Sequence, residues 1–235
     1  MKKNTDLKKN LPPSADSLLE KLLYLRYSCR GFKSECVPKE KIERILYLAQ
    51  RTASWTNVQP WKVHIIDNEA IEAFRDIMVS AASKPPHDSD LPWPDEYQGI
   101  YRDRRRECGW GLYESLGIQK GDRQASGHQA MRNFRFFDAP HIAIITSDRS
   151  LGVYGAIDCG AYISNFMLAA TSLGIATIAQ AALASRSSAI RNYLKLPDDR
   201  VVVCGISFGF SDDEHPANSF RTGRAPLNEV ISWIE

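Results

Sequence analysis

Apolar residues recur at helical spacing along much of this chain. Leu18, Leu19, Leu22, Leu23 and Leu25 predict a helix starting near Ser14 or Asp16, just after Pro12-Pro13. The pattern breaks at Arg26-Tyr27-Ser28-Cys29-Arg30-Gly31-Phe32, where glycine and polar residues predict a turn. A second helix is expected from about Pro38, because proline is tolerated in a first turn, with Ile42, Ile45, Leu46 and Ala49 on one face. A polar loop from Thr52 to Pro60 leads into a short strand, Trp61 to Ile66. Another helix is predicted from Glu69 to Ala82. Pro85, Pro86, Pro92 and Pro94 then break the chain into a long irregular segment, expected to act as a lid or binding loop.

Helical character resumes at about Tyr97 and over Arg102 to Leu116, and a more polar helix is expected from Asp122 to Asn133. Pro140 to Thr146, PHIAIIT, reads as a core strand. From Tyr154 to Ser172 the chain is apolar on nearly every side. A helix of that kind must be covered all round, by its own domain or by a partner subunit. Gly174 to Ile178 predicts a short strand after a glycine cap, and Arg200 to Phe208 a longer one. Leu227 to Ile234 predicts a last short helix. Few strands, separated by helices, indicate a two- or three-layer α/β or α+β domain with a small covered sheet. No repeat or second-domain boundary interrupts it.

The chain has 235 residues, 43% apolar and 25% charged, enough to bury a core without metal or disulfide staples. A net charge of +2 is too small to imply a nucleic-acid partner. The run Arg102, Arg104, Arg105, Arg106 is interrupted by Asp103 and Glu107. It admits three readings: a solvated ion-paired helix face, a substrate or cofactor contact, or a nucleic-acid contact. Five cysteines, none in a CxxC pair, fit a reducing compartment; Cys159 and Cys204 sit among apolar residues, as small core side chains do. The lysine-bearing N-terminus has no apolar stretch behind it, so no signal peptide or membrane segment is expected and the placement expected is cytoplasmic.

Dinucleotide, P-loop, serine-hydrolase and zinc-protease motifs are missing, and the five histidines lack zinc-ligand spacing. Three polar groups remain. Arg26, Ser28 and Arg30 stand at i, i+2 and i+4, which in an extended segment places two cations and a hydroxyl on one side, as a phosphate requires. Ordinary surface arginines would look the same. Asn57 and Gln59 put two amides before a rigid proline, suited to the edge of a heterocycle or to an Asx-type turn. Arg221, Thr222 and Arg224 form a third cluster, read alone as a solvated tail.

In order along the chain, these segments resemble the nitroreductase family. The marks are RYSCRGF from Arg26, NVQPWKV from Asn57, RDRRRECGWGLYESLGI ending at Ile118, and NFRFFDAP from Asn133. DCGAYISNFMLAATSLGIAT from Asp158, GISFGFSD ending at Asp212 and FRTGRAPLNEV from Phe220 complete the set. The resemblance covers roughly Leu18 to Trp233 and is strongest to the nitrobenzoate and nitroaromatic reductase branch. It implies an α+β nitroreductase-like domain over residues 14–235, three layers α/β/α with a small central sheet and a C-terminal arm. Residues 1–13 are then a flexible lead, and the assembly an interlocked homodimer with FMN at the subunit interface. It implies no catalytic side chain and no metal, since the flavin carries the chemistry. Arg26, Ser28, Arg30 and Arg224 would hold the phosphate and ribityl end, and Tyr27 and Arg221 would belong to the cofactor-binding set. Trp55, Asn57 and Gln59 would meet the flavin, Asn57 from the partner subunit. Ala179, Gln180 and Ala181 would run under it, with backbone N–H groups near N5.

NADH or NADPH would be a transient donor, exchanging by ping-pong with nitroaromatic or similar acceptors. Quinone, enone, flavin or dehalogenating reduction, and flavin binding without catalysis, are the alternatives. Four residues depart from the family pattern. Trp55 replaces a small residue, Val58 removes a hydroxyl, and Ile178 and Ala179 replace cysteine and proline.

Overall fold

The computed structural model describes residues 14–67 and 69–235; the flexible lead expected over 1–13 lies outside the described residues. Four strands form one antiparallel sheet in the order β1-β2-β4-β3: β1 Lys62–Ile66, β2 His141–Asp148, β3 Ala176–Gln180 and β4 Arg200–Gly209. Side chains alternate across a strand, and β2 uses that alternation to serve two cores. Ala143 and Ile145 face a layer built from α2 (Lys39–Ala49) and the long α6 (Gly152–Ser172). Ile142 and Ile144 face the opposite layer, α3 (Glu69–Ala82) and α8 (Ser187–Leu194), against Phe74, Met78 and Ile190. The expected α/β/α layering is therefore present.

The register of β4 shifts once. Ile145 pairs with Cys204 but Thr146 with Val202, leaving Val203 as an extra residue. Such a bulge reverses the parity of the strand. Val202 thus faces the α3 layer while Cys204, Ile206 and Phe208 face α6. Cys159 and Cys204 are buried as expected, and burial raises both thiols to a pKa of about 11.

Most predicted elements fall within a few residues of their observed limits. The last helix does not. Leu227–Glu229 is a single 3-10 turn, and Val230, Trp233 and Ile234 beyond it are exposed. A helix that short needs packing to offset its nucleation cost, and these residues have no surface of their own chain beneath them. The proline-rich segment is fastened rather than loose: Asp88 accepts from the Ser188 N–H at 3.1 Å and Asp90 from the Val202 N–H at 2.8 Å.

Two helices lack a buried side of their own. The first, α1 (Ala15–Leu25), has no buried residue, and neither does α4 (Gly99–Ser115). With α5 (Arg123–Met131), α4 forms an excursion that touches the body where Gly111 leaves room for the Phe220 ring. No helix among the described residues is long and apolar enough to cross a membrane.

Candidate functional site

After α1 the chain extends across the end of β3. Cys29 donates its N–H to the Thr177 carbonyl at 3.0 Å and Ser28 bridges Thr177, so residues 26–30 lie just beyond the C-terminal end of α6. The turn from α6 into β3 is made by Gly174 at φ 73°, with Ile175 N–H donating to Ala170 and Gly174 N–H to Thr171. Asn218, buried, fixes the following segment. Its Oδ1 accepts from the Arg30 N–H at 2.7 Å, and its Nδ2 donates to the carbonyls of Gly31 and Asp212, both at 2.8 Å.

This scaffold opens a cavity of about 650 Å³ lined by Arg26, Tyr27, Ser28, Arg30, Arg221 and Arg224, with Leu23, Tyr24, Cys108, Phe220 and Thr222 completing the wall. Burial lowers the pKa of Arg26, and the nearby Arg224 charge lowers it further. Burial also lowers that of Arg30. The Arg221 guanidinium lies 3.7 Å from the centroid of the Tyr27 ring, whose hydroxyl is tied to Ser211 at 2.6 Å. Among the described residues none of these four arginines pairs with a carboxylate. Crowded guanidiniums without counter-charge suit a multiply charged anion such as a phosphate.

Trp55, Asn57 and Gln59 stand apart from that cavity, on a loop beside the N-terminal half of α6. The Trp55 N–H meets the Asp158 carboxylate at 3.2 Å, and Asn165 donates to the Thr52 hydroxyl at 2.8 Å. Thr56, Asn57 and Gln59 all take positive φ (48°, 60° and 47°), which side-chain-bearing residues seldom adopt. The turn is closed by Ser54, whose hydroxyl accepts from the Gln59 N–H at 2.9 Å, and not by an Asx turn at Asn57. Gln59 is engaged with Gln50 at 2.9 Å, while the exposed Asn57 amide has no side-chain partner among the described residues.

Ala179 and Gln180 end β3, and Ala181 opens the short α7 (Ala181–Ala184). The Gln180 side chain turns inward to Asn133 at 2.8 Å and to Ser207, so this segment offers backbone alone. A larger cavity of about 1030 Å³ lies elsewhere, between α3 and α8. It mixes Asp76 and Asp88 with Lys84 and Arg186, and Arg186 is occupied in tying the Ala82 and Pro86 carbonyls. The arginine run on α4 is exposed, with Arg104 paired to Glu229 at 2.9 Å and Arg102 to Asp103 at 3.8 Å, which is the solvated reading.

Three of the sequence groups therefore resolve into one cationic cavity and one amide loop at opposite ends of α6. Asn218, which supports the cavity, carried no motif, Ser211 stood in the GISFGFSD segment without a role assigned to it, and Cys108 joins the cavity only through the fold.

The fold and site define a three-layer α+β protein with an arginine-lined cavity beside its sheet. Its kinship is specific: the nitroreductase family model matches residues 23–210, and the chain belongs to that family. It is 34% identical to a 4-nitrobenzoate reductase of Nocardioides sp. over 214 residues, 89% of this chain and 87% of that one. It is 32% identical to the nitroreductase NfnB of Mycolicibacterium smegmatis over 215 residues, 91% and 92% of the two chains. The crystal structure of FMN-dependent NfnB from Mycobacterium smegmatis in complex with NADPH superposes with a TM-score of 0.89 at 30% identity, over 94% of this chain and 99% of that one.

Proposed function

We propose that this chain is an NAD(P)H-dependent FMN oxidoreductase that reduces nitroaromatic or similar small acceptors. The observation that carries the proposal is the carboxylate-free cavity on which Arg26, Arg30, Arg221 and Arg224 converge. Its volume suits the phosphate and ribityl end of a mononucleotide. Arg26, Arg30 and Arg224 would neutralise the phosphate, with the Ser28 hydroxyl as a further donor. The Tyr27 ring holds the Arg221 guanidinium by a cation–π contact. FMN held there would supply the redox chemistry, hydride exchange between a nicotinamide donor and the acceptor. Ala179, Gln180 and Ala181 would offer backbone groups to the ring. No side chain need act as acid, base or nucleophile.

The working unit in this reading is a homodimer. The uncovered side of α6 carries Val153, Tyr154 and Ile157 at one end and Gly160, Ala161 and Ser164 at its middle, and α1 is apolar and uncovered beside it. Small residues at mid-helix allow two copies to approach closely across a two-fold axis. A two-fold contact exchanges the ends of a helix about 31 Å long. It carries the Trp55–Gln59 loop of one copy, at the start of α6, toward the arginine cavity of the other, at its end. Asn57 and Gln59 would then reach the cofactor held by the partner, which accounts for the free Asn57 amide and the strained loop. Residues 14–235 act as a single domain with a C-terminal arm, and five unpaired thiols fit a cytoplasmic setting.

Reconstitution tests the reading. The wild-type chain should bind one FMN per subunit, bleach anaerobically with NADPH or NADH, and recover its colour on adding nitrobenzene. Arg26→Ala should raise the Kd for FMN by roughly 10- to 100-fold, the worth of a charge-assisted contact. A chain that takes up no FMN, or an alanine variant with unchanged affinity, would remove the arginine cavity from this role.

A further inference from the structure

The side chain of Trp55 is the largest feature of the amide loop that phosphate and amide binding leave unused. It is 64% exposed, and its ring lies 5.1 Å from that of Tyr154, itself 58% exposed, at an interplanar angle of 46°. The loop that carries it is anchored through its backbone. The Trp55 backbone N–H is held by the Asp158 carboxylate, buried on α6, and the loop behind it is closed by Ser54 and by three residues of positive φ. The result is an exposed aromatic pair on a backbone-anchored loop that lines no part of its own arginine cavity.

We infer that Trp55, backed by Tyr154, is an acceptor-selecting wall contributed to the partner subunit's site, and that it favours flat, electron-poor aromatic acceptors. This rests on the flavin-dimer reading above. The end-for-end exchange that brings Asn57 to the partner's cavity brings Trp55 with it, since the two lie in one short turn. An indole presents a broad face of negative potential. A ring drained by a nitro group presents a face of opposite character, so the two stack favourably, while a small non-aromatic acceptor gains little from the same wall. Substrate preference in this chain would then lie in a side chain from the neighbouring subunit.

The test uses the FMN-loaded dimer and three variants: Trp55→Ala, Trp55→Phe and Tyr154→Ala. Benzoate, a non-reducible aromatic, is titrated against the oxidised enzyme by its perturbation of the flavin spectrum. Trp55→Ala should weaken benzoate binding about five- to tenfold, the scale of one aromatic contact. It should also raise KM for nitrobenzene at least fivefold more than KM for nitroethane. Trp55→Phe should restore most of both effects, and Tyr154→Ala should give a smaller loss in the same direction. Unchanged benzoate affinity and an unchanged KM ratio in Trp55→Ala, with flavin content and dimer mass as in wild type, would overturn the inference while leaving the flavin reading intact. Loss of FMN or of the dimer on that substitution would overturn it too, by making Trp55 a cofactor or interface residue. A wild-type chain that binds no FMN would instead bring down the reading beneath it.

Discussion

At the scale of single residues, His141 shows how one buried group ties the fold to pH. Its Nε2 accepts the Val37 N–H at 2.8 Å and its ring stacks on Phe208 at 5.2 Å, so that nitrogen must stay unprotonated. Burial lowers its pKa below the ordinary 6.5, against an opposing pull from Asp67. The unfolded chain therefore binds the proton first. The stability this group contributes is complete above about pH 6.5 and is lost progressively as pH falls through the interval below it. His64 and His215 are lowered in the same direction, each mainly by burial. Urea midpoints should fall as pH drops from 7.5 to 5, and His141→Gln should flatten that slope; an unaltered slope would show that His141 protonates freely. From sequence, the histidine was legible as a strand residue without metal spacing, but its partner lies 104 residues away and was not. The arginines behave alike. The i, i+2, i+4 spacing of Arg26, Ser28 and Arg30 was readable, whereas their meeting with Arg221 and Arg224 depends on the fold, and buried Asn218, which pins the Arg30 backbone, had no pattern to announce it.

At the scale of elements, a buried apolar face made most elements legible, although α1 and α4 were readable too and bury no residue. Helices α2, α3 and α6 and strands β2 and β4 each bury an apolar face, so their periods are written in the sequence. Helix α8 buries only Ser187 and Ile190, and its start is held by Asp88 from a distant loop; that dependence on tertiary contacts is why neither it nor α7 was anticipated. The α6–β3 turn is the opposite case, a local signal confirmed in detail. Gly174 sits at φ 73° with open space around its missing Cβ, so Gly174→Ala should cost backbone strain without a steric clash. A loss of about 1 kcal/mol is expected, or roughly 2–4 °C in thermal midpoint for a chain of this size. Thermal unfolding of the FMN-free protein measures it, and an unshifted midpoint would mean that the turn relaxes. Since Ser28 and Cys29 hang on Thr177 just past this turn, FMN affinity should weaken with it.

At the scale of the whole molecule, the sequence posed a question that one chain answers in part. A helix apolar on nearly every side needs cover all round, yet α6 buries Tyr162, Phe166 and Ala170 while Val153, Tyr154 and Ile157 stay exposed. The uncovered α1 lies beside it, and Leu23 and Tyr24 of that helix also line the arginine cavity. The apolar face and the arginine cavity therefore share an edge, so the proposed dimerisation and flavin binding should be coupled. Ile157→Glu tests this coupling without touching any arginine. A two-fold interface meets the substitution twice, and an unpaired buried carboxylate on each side is strongly unfavourable. The variant should retain its helical far-ultraviolet spectrum, run as a monomer in light scattering, and lose FMN affinity by at least tenfold, because a site built from two chains cannot be completed by one. A monomer that still binds FMN as tightly as wild type would place the whole site within a single chain, and Asn57 and Trp55 would lose their roles together.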